Sequence, residues 1–204
     1  EGEEVFAMTL SRSRIPWLVN ADGTPGYTWS PTSGCSPVSA GCANCWAKAW
    51  HQRFRNVGAD GRPVADPFAV KLHPDKLDEP LRLRKPSTIG VCLMGDLLHR
   101  NVPAAFIGSV LYQIRMAERH TFVLLTKWIE RLQKMLARHE PEPPSNLWIG
   151  TSVEDQSTAD SRIPVLLDTP AAHRWVSYEP ALGPVDFDRW LQPVPGYQLR
   201  RGGS

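Results

Sequence analysis

Three cysteines stand within eleven residues of one another, in the segment Cys35-Ser-Pro-Val-Ser-Ala-Gly-Cys42-Ala-Asn-Cys45, a C-x6-C-x2-C cluster. Two cysteines separated by two residues direct both thiolates at one metal centre, and Gly34 and Gly41 allow the loop to wrap tightly around it. A structural zinc takes four protein ligands, and no fourth is obvious. Three thiolates suit a 4Fe–4S cluster with one iron left open, which a chelating cofactor would use. The alternatives are a small zinc knuckle completed by His51 or His99, and cysteines that carry no metal. The fourth cysteine, Cys92, lies in the apolar run Ile89–Met94 and is expected to be a small buried hydrophobe. Clustered thiols do not form the spread disulfide framework of a secreted domain, so a reducing, cytoplasmic compartment is expected.

A second set of polar residues follows short apolar runs along the chain. These are Gly95 and Asp96, Thr126 and Lys127, Thr151, Ser152, Glu154 and Asp155, and finally Ser177 and Glu179. The runs that precede them favour β-structure: Phe68–Leu72, Ile89–Met94, Thr121–Thr126, Leu147–Ser152 and Trp175–Ser177, with a further strand at Tyr27–Trp29. Helices are expected between them. Pro103–Glu118 places Phe106, Ile107, Val110, Leu111 and Ile114 on one face, and Trp128–His139 does the same with Ile129, Leu132, Met135 and Leu136. Asp155–Asp168 is a weaker helix that Pro164 should break or bend, and Pro80 should interrupt a short one at Asp75–Arg84.

Strands that alternate with helices build a parallel sheet with right-handed crossovers. The expected fold is α/β: a partial, open (βα) barrel of about five to six parallel strands, TIM-barrel-like but short of eight, with an N-terminal cysteine-rich metal loop. In such a fold the chemistry sits where the strands end, and that is where the polar residues fall. The bland readings are helix caps or turn residues for Asp96 and Asp155, a turn residue for His99 and a solvated helix start for Lys127.

Composition sets the outer limits. The 204 residues are 42% hydrophobic and 22% charged, ordinary for one globular domain with extensions. No stretch approaches ~18 apolar residues, so no membrane span is expected, and the acidic opening Glu1-Gly2-Glu3-Glu4 lacks a leader pattern. The boundaries read as a tail over 1–16, the domain over 17–187 and a second tail over 188–204. Net charge is only +2, although 17 arginines outnumber 6 lysines. Arg53, Arg55, Arg82-Leu-Arg84-Lys85 and Arg200-Arg201 make nucleic acid a possible partner, against the plainer reading of a solvated basic face.

The stretches Thr28-Trp29-Ser-Pro-Thr-Ser-Gly-Cys35, Gly41-Cys42-Ala-Asn-Cys45-Trp46-Ala47, Val70-Lys-Leu-His73-Pro and Met94-Gly-Asp96-Leu-Leu-His99 resemble the three-Cys-motif phage protein family. So do Phe122-Val-Leu-Leu-Thr126-Lys127, Asn146–Gln156 and Trp175–Pro184, in order, across roughly residues 27 to 187. That family in turn is similar to radical S-adenosylmethionine (SAM) enzymes, although the x6-x2 spacing here differs from their usual C-x3-C-x2-C. The resemblance implies a 4Fe–4S cluster on Cys35, Cys42 and Cys45, with SAM as the small-molecule cofactor. Gly95 and Asp96 would hold the methionine amino group, Ser152 and Glu154 the ribose or methionyl part, and Glu179 ribose or substrate. Lys127 joins them as a candidate cofactor-binding residue. The implied activity is reductive cleavage of SAM to a 5′-deoxyadenosyl radical that acts on a substrate the sequence does not name. No catalytic residue is singled out. The competing reading is a phage-encoded binding protein that captures a host partner in the host cytoplasm, its cysteines a structural zinc or iron–sulfur site and its eight tryptophans an aromatic contact surface.

Overall fold

Short β-branched and aromatic runs separated by amphipathic ones yield alternating elements in the computed structural model, which describes residues 10–58, 60–139 and 143–191. The N-terminal third contains β1 (Ser11–Arg12), β2 (Tyr27–Trp29), β3 (Thr32–Ser33), α1 (Trp46–Phe54), β4 (Lys71–Leu72) and α2 (Glu79–Arg82). Then come β5 (Thr88–Val91), α3 (Ala104–Met116), β6 (Thr121–Thr126) and α4 (Ile129–His139). The chain closes with β7 (Leu147–Val153), α5 (Gln156–Asp168) and β8 (His173–Tyr178).

Six strands form one sheet in the order β1-β2-β5-β6-β7-β8. The last five are mutually parallel, and β1 joins β2 antiparallel at the edge. Register puts Ile89, Phe122 and Leu147 in one row across the sheet, and Val91, Leu124 and Ile149 in the next. All six are buried and pack on the apolar stripes of α3 and α4, which supply Ile107, Val110, Leu111, Ile114, Ile129, Leu132 and Leu136 to the same core. The period of two sends Gly90, Val123 and Trp148 to the opposite face. Because the strands run parallel, the C-terminal ends of β2 and β5–β8 share one edge.

Three expectations change. Phe68–Leu72 does not enter the large sheet: only Lys71–Leu72 is extended, in a two-stranded antiparallel ribbon with β3. Pro164 leaves α5 continuous. It lies on an exposed face, where the Asp160 carbonyl that loses its N–H partner can turn to water. Pro80 occupies the first turn of α2, where no N–H is required, so it opens that helix instead of interrupting one. Residues 10–12, within the stretch read as a tail, bury Leu10 and pair with β2, while 1–9 lie outside the described residues. At the other end Phe187 and Trp190 pack on Val153, Ala159 and Ile163, and 192–204, including Arg200-Arg201, lie outside the described residues. Among the described residues no helix is long and apolar enough to cross a membrane.

Candidate functional site

The cysteine loop leaves the C-terminal end of β2 and is braced at once. Gly34 takes φ of 83°, and a Cβ there would lie 2.2 Å from the Ala69 carbonyl oxygen, so only glycine fits. Its backbone bridges to Gly95, and the Cys35 N–H donates to the Phe68 carbonyl at 3.1 Å. The segment expected to be a strand, Phe68–Ala69, thus clamps the loop in place.

The loop is then tied to the sheet edge by a buried carboxylate. Glu154, directly after β7, is fully buried. It accepts hydrogen bonds from the Ser39 hydroxyl at 2.5 Å and the Gly41 N–H at 2.7 Å, and it pairs with the Lys127 ammonium. Burial alone would raise its pKa. The bonds from Lys127, Ser39 and Gly41 outweigh that and hold it below the ordinary carboxylate range. Lys127 also reaches Ser39 Oγ at 3.2 Å and Cys42 Sγ at 3.6 Å. The Lys127–Glu154 pair is therefore the fastener of the cysteine loop.

Asp96 sits across the same edge and is likewise buried. Cys92, with φ of 54°, turns the chain sharply out of β5 toward it. Asp96 Oδ1 accepts from the Leu98 N–H at 2.9 Å and the Thr126 hydroxyl at 2.7 Å, and Oδ2 accepts from the Lys127 N–H at 3.0 Å. Burial nonetheless dominates and raises its pKa. Oδ2 retains an acceptor position, since a carboxylate oxygen has two. Asp155 is a helix cap, in a capping box with Thr158 at the start of α5.

Cys35, Cys42 and Cys45 line one cavity of about 420 Å³, together with Gly95, Asp96, Lys127, Ser152 and Glu179. The sequence-predicted residues are thus brought together, except that Glu154 fastens the loop and is absent from the cavity wall. Cys35 is pushed up to about 12 by burial and by the Asp96 charge. Cys42 moves the other way: burial would raise it, but the Val38 N–H, Ser39 and the Lys127 charge bring it below the usual thiol range. Cys92 is buried and expected so, receiving the Thr32 hydroxyl at 3.2 Å.

Among the described residues, no three His, Cys, Asp or Glu side chains converge as a ready single-ion site. Among the described residues neither His51 nor His99 stands in such a group. His51 Nδ1 faces the Pro67 carbonyl at 3.1 Å, and both ring nitrogens of His99 are engaged, with Ser36 Oγ at 3.0 Å and the Asn101 N–H at 3.1 Å. Zinc–sulfur bonds of about 2.3 Å would draw the thiolates together around one point. Three cysteines on one cavity wall are the donor count that a 4Fe–4S cluster with one open iron takes.

Sequence reasoning missed Ser39, Thr126 as the partner of Asp96, and Trp46, which borders the cavity. Trp46 alone carried a local signal, since it directly follows Cys45 on an exposed helix start.

Known structures share this fold. A spore photoproduct lyase mutant with dinucleoside spore photoproduct superposes with a TM-score of 0.53 at 11% identity, over 85% of this chain and 48% of that one. A double mutant of the same enzyme, with bound AdoMet and dinucleoside spore photoproduct, gives 0.50 at 10% identity, over 81% of this chain and 46% of the other. The likeness is one of fold, and the chain spans about half the length of those structures. No curated protein matches it. Residues 12–192 match the family described as Protein of unknown function (DUF5131), and the chain, with its parallel sheet and cysteine-lined edge, belongs to that family.

Proposed function

We propose that the protein is a radical SAM-like iron–sulfur enzyme of phage or prophage type. The observation that carries this reading is the cavity at the C-terminal sheet edge, where Cys35, Cys42 and Cys45 face Asp96. The fold likeness to spore photoproduct lyase, a radical SAM enzyme with a structure holding AdoMet, supports it. The three cysteines would hold a 4Fe–4S cluster with one open iron, and Asp96, Ser152 and Glu179 remain as polar groups for SAM. When bound, that pair supplies a 5′-deoxyadenosyl radical and methionine by one-electron reduction, for hydrogen abstraction from a substrate.

The chain's own residues do the positioning. Asp96 presents Oδ2 to an ammonium in a site where such pairing is stronger than in water. Gly95 leaves room for the Gly34 backbone, whose carbonyl oxygen a Cβ would meet at 2.7 Å, and so seats the start of the cysteine loop. Lys127 and Glu154 act indirectly, because their donors and acceptors are occupied in holding Ser39, Gly41 and Cys42.

Anaerobic reconstitution with iron and sulfide tests this. The expected outcome is about four irons per chain, a brown protein, and release of 5′-deoxyadenosine when SAM and a strong reductant are added. Tight stoichiometric zinc in place of iron, with no SAM cleavage, would overturn the reading.

A further inference from the structure

A second groove of about 670 Å³ opens beside the cysteine cavity, and the two share Trp46 and Leu93 in their walls. Its character is basic and aromatic. Trp46 and Trp50 line it one helical turn apart on α1, 59% and 38% exposed, and Phe54 extends the same face at 56% exposure. A stripe at this spacing ordinarily faces a core, but here it faces solvent. Cations surround it: Arg12, Arg14 and Arg55 with Lys71 and Lys76. Among the described residues none of the five is held in an ion pair, and the groove's single lining carboxylate, Glu79, is buried. The Arg55 guanidinium already lies over the Trp50 ring, 5.8 Å from its centroid.

We propose that this groove binds a single-stranded nucleic acid, its phosphates against the five cations and its bases stacked on Trp46 and Trp50. Interleaved cations and exposed aromatic faces are what a strand with unstacked bases requires. The shared Trp46 wall leads from the groove directly to the cysteines, so a nucleotide in the strand is the substrate class for the radical chemistry. That last step rests on the function proposed above; the binding does not. An acidic protein segment would satisfy the cations but has no use for an open aromatic stripe.

Fluorescence anisotropy tests the binding, on the full chain with and without reconstituted iron, using a labelled DNA or RNA single strand of about twelve nucleotides. Affinity should fall with salt at a slope of about −0.7 per phosphate contacted, or about −3.5 if all five cations engage. Arg55→Gln with Lys71→Gln should flatten that slope by about 1.4. Trp46→Ala should weaken binding about tenfold or more through lost stacking, and circular dichroism will confirm that this exposed change leaves the fold intact. Absence of binding at low salt overturns the proposal. So does binding that Trp46→Ala leaves unchanged, or displacement of the strand by polyglutamate at equal charge, which would reassign the groove to an acidic protein. Strand binding by a chain that holds only zinc would refute the radical reading and leave the groove assignment standing.

Discussion

Two buried carboxylates at the sheet edge end with opposite balances. Asp96 has three hydrogen bonds and no ammonium in contact, so burial wins and its pKa rises. Glu154 has Lys127, Ser39 and Gly41, so its pKa falls and it stays ionised. Chain position marked both as strand-end acids, yet only Asp96 faces the cavity. The distinction was illegible in sequence because the partners of Glu154 stand 115 and 113 residues away, at Ser39 and Gly41. A Cβ at Gly41 would lie 2.5 Å from Glu154 Cδ. Gly41→Ala should therefore loosen the cysteine loop, with loss of iron uptake and about 1–3 kcal/mol of stability from overpacking. Adding Glu154→Ala removes the clashing group, so the double variant should lose less stability than the two single losses summed. Urea titration of all four proteins measures this, and strict additivity would show that the two residues do not press on each other.

At the scale of elements, long periodic segments were readable and short ones were not. β6 matches its expected bounds and α3 and α4 fall within a few residues of theirs, because each buries one face at a regular period. The β3–β4 ribbon has two residues per strand and carries no period at all. Its neighbour α2 is fixed instead by His120, a buried side chain just before β6. The Ser87 N–H donates to Nδ1 at 3.2 Å, so Nε2 carries the proton and donates to the Pro80 and Leu83 carbonyls, each at 3.0 Å. Burial lowers the pKa of His120 despite those carbonyls. A folded pKa below the unfolded value of about 6.5 means stability that is complete above pH 6.5 and lost progressively as pH falls from there through the lower folded value. The urea midpoint should accordingly drop on acidification from neutral pH. His120→Gln should lower stability at neutral pH by about 1–3 kcal/mol and flatten part of the acid dependence. Only part will go, because His51, His73 and His99 are shifted the same way. A variant with the wild-type pH slope would remove His120 from the account.

Across the whole molecule, the net charge of +2 concealed the basic groove, since 23 cations and 21 anions nearly cancel while five of the former gather on one side. Composition reports a sum, and binding depends on where the charges lie. What covers the second sheet face was equally hidden. The segment between β1 and β2 lies there, and it reaches from one edge of the sheet to the other. Leu18, fully buried, packs toward Gly90, where a Cβ would stand 2.9 Å from its side chain, and its carbonyl accepts the Gly26 N–H at 2.8 Å. Its neighbour Trp17 reaches the last strand, with its ring 5.1 Å from that of Trp175. Trp175 in turn lies over Gly150, leaving no room for a Cβ. Leu18 is therefore the plug and Trp17, 39% exposed, a surface clasp. Leu18→Ala opens a cavity between sheet and segment and should lower unfolding free energy by about 3 kcal/mol. Trp17→Ala loses one ring pair at the surface, worth roughly 1 kcal/mol beyond its area. Urea unfolding followed by circular dichroism distinguishes them. Equal losses would mean that the segment rests on the sheet as a loose flap and that the parallel strands hold their arrangement without it.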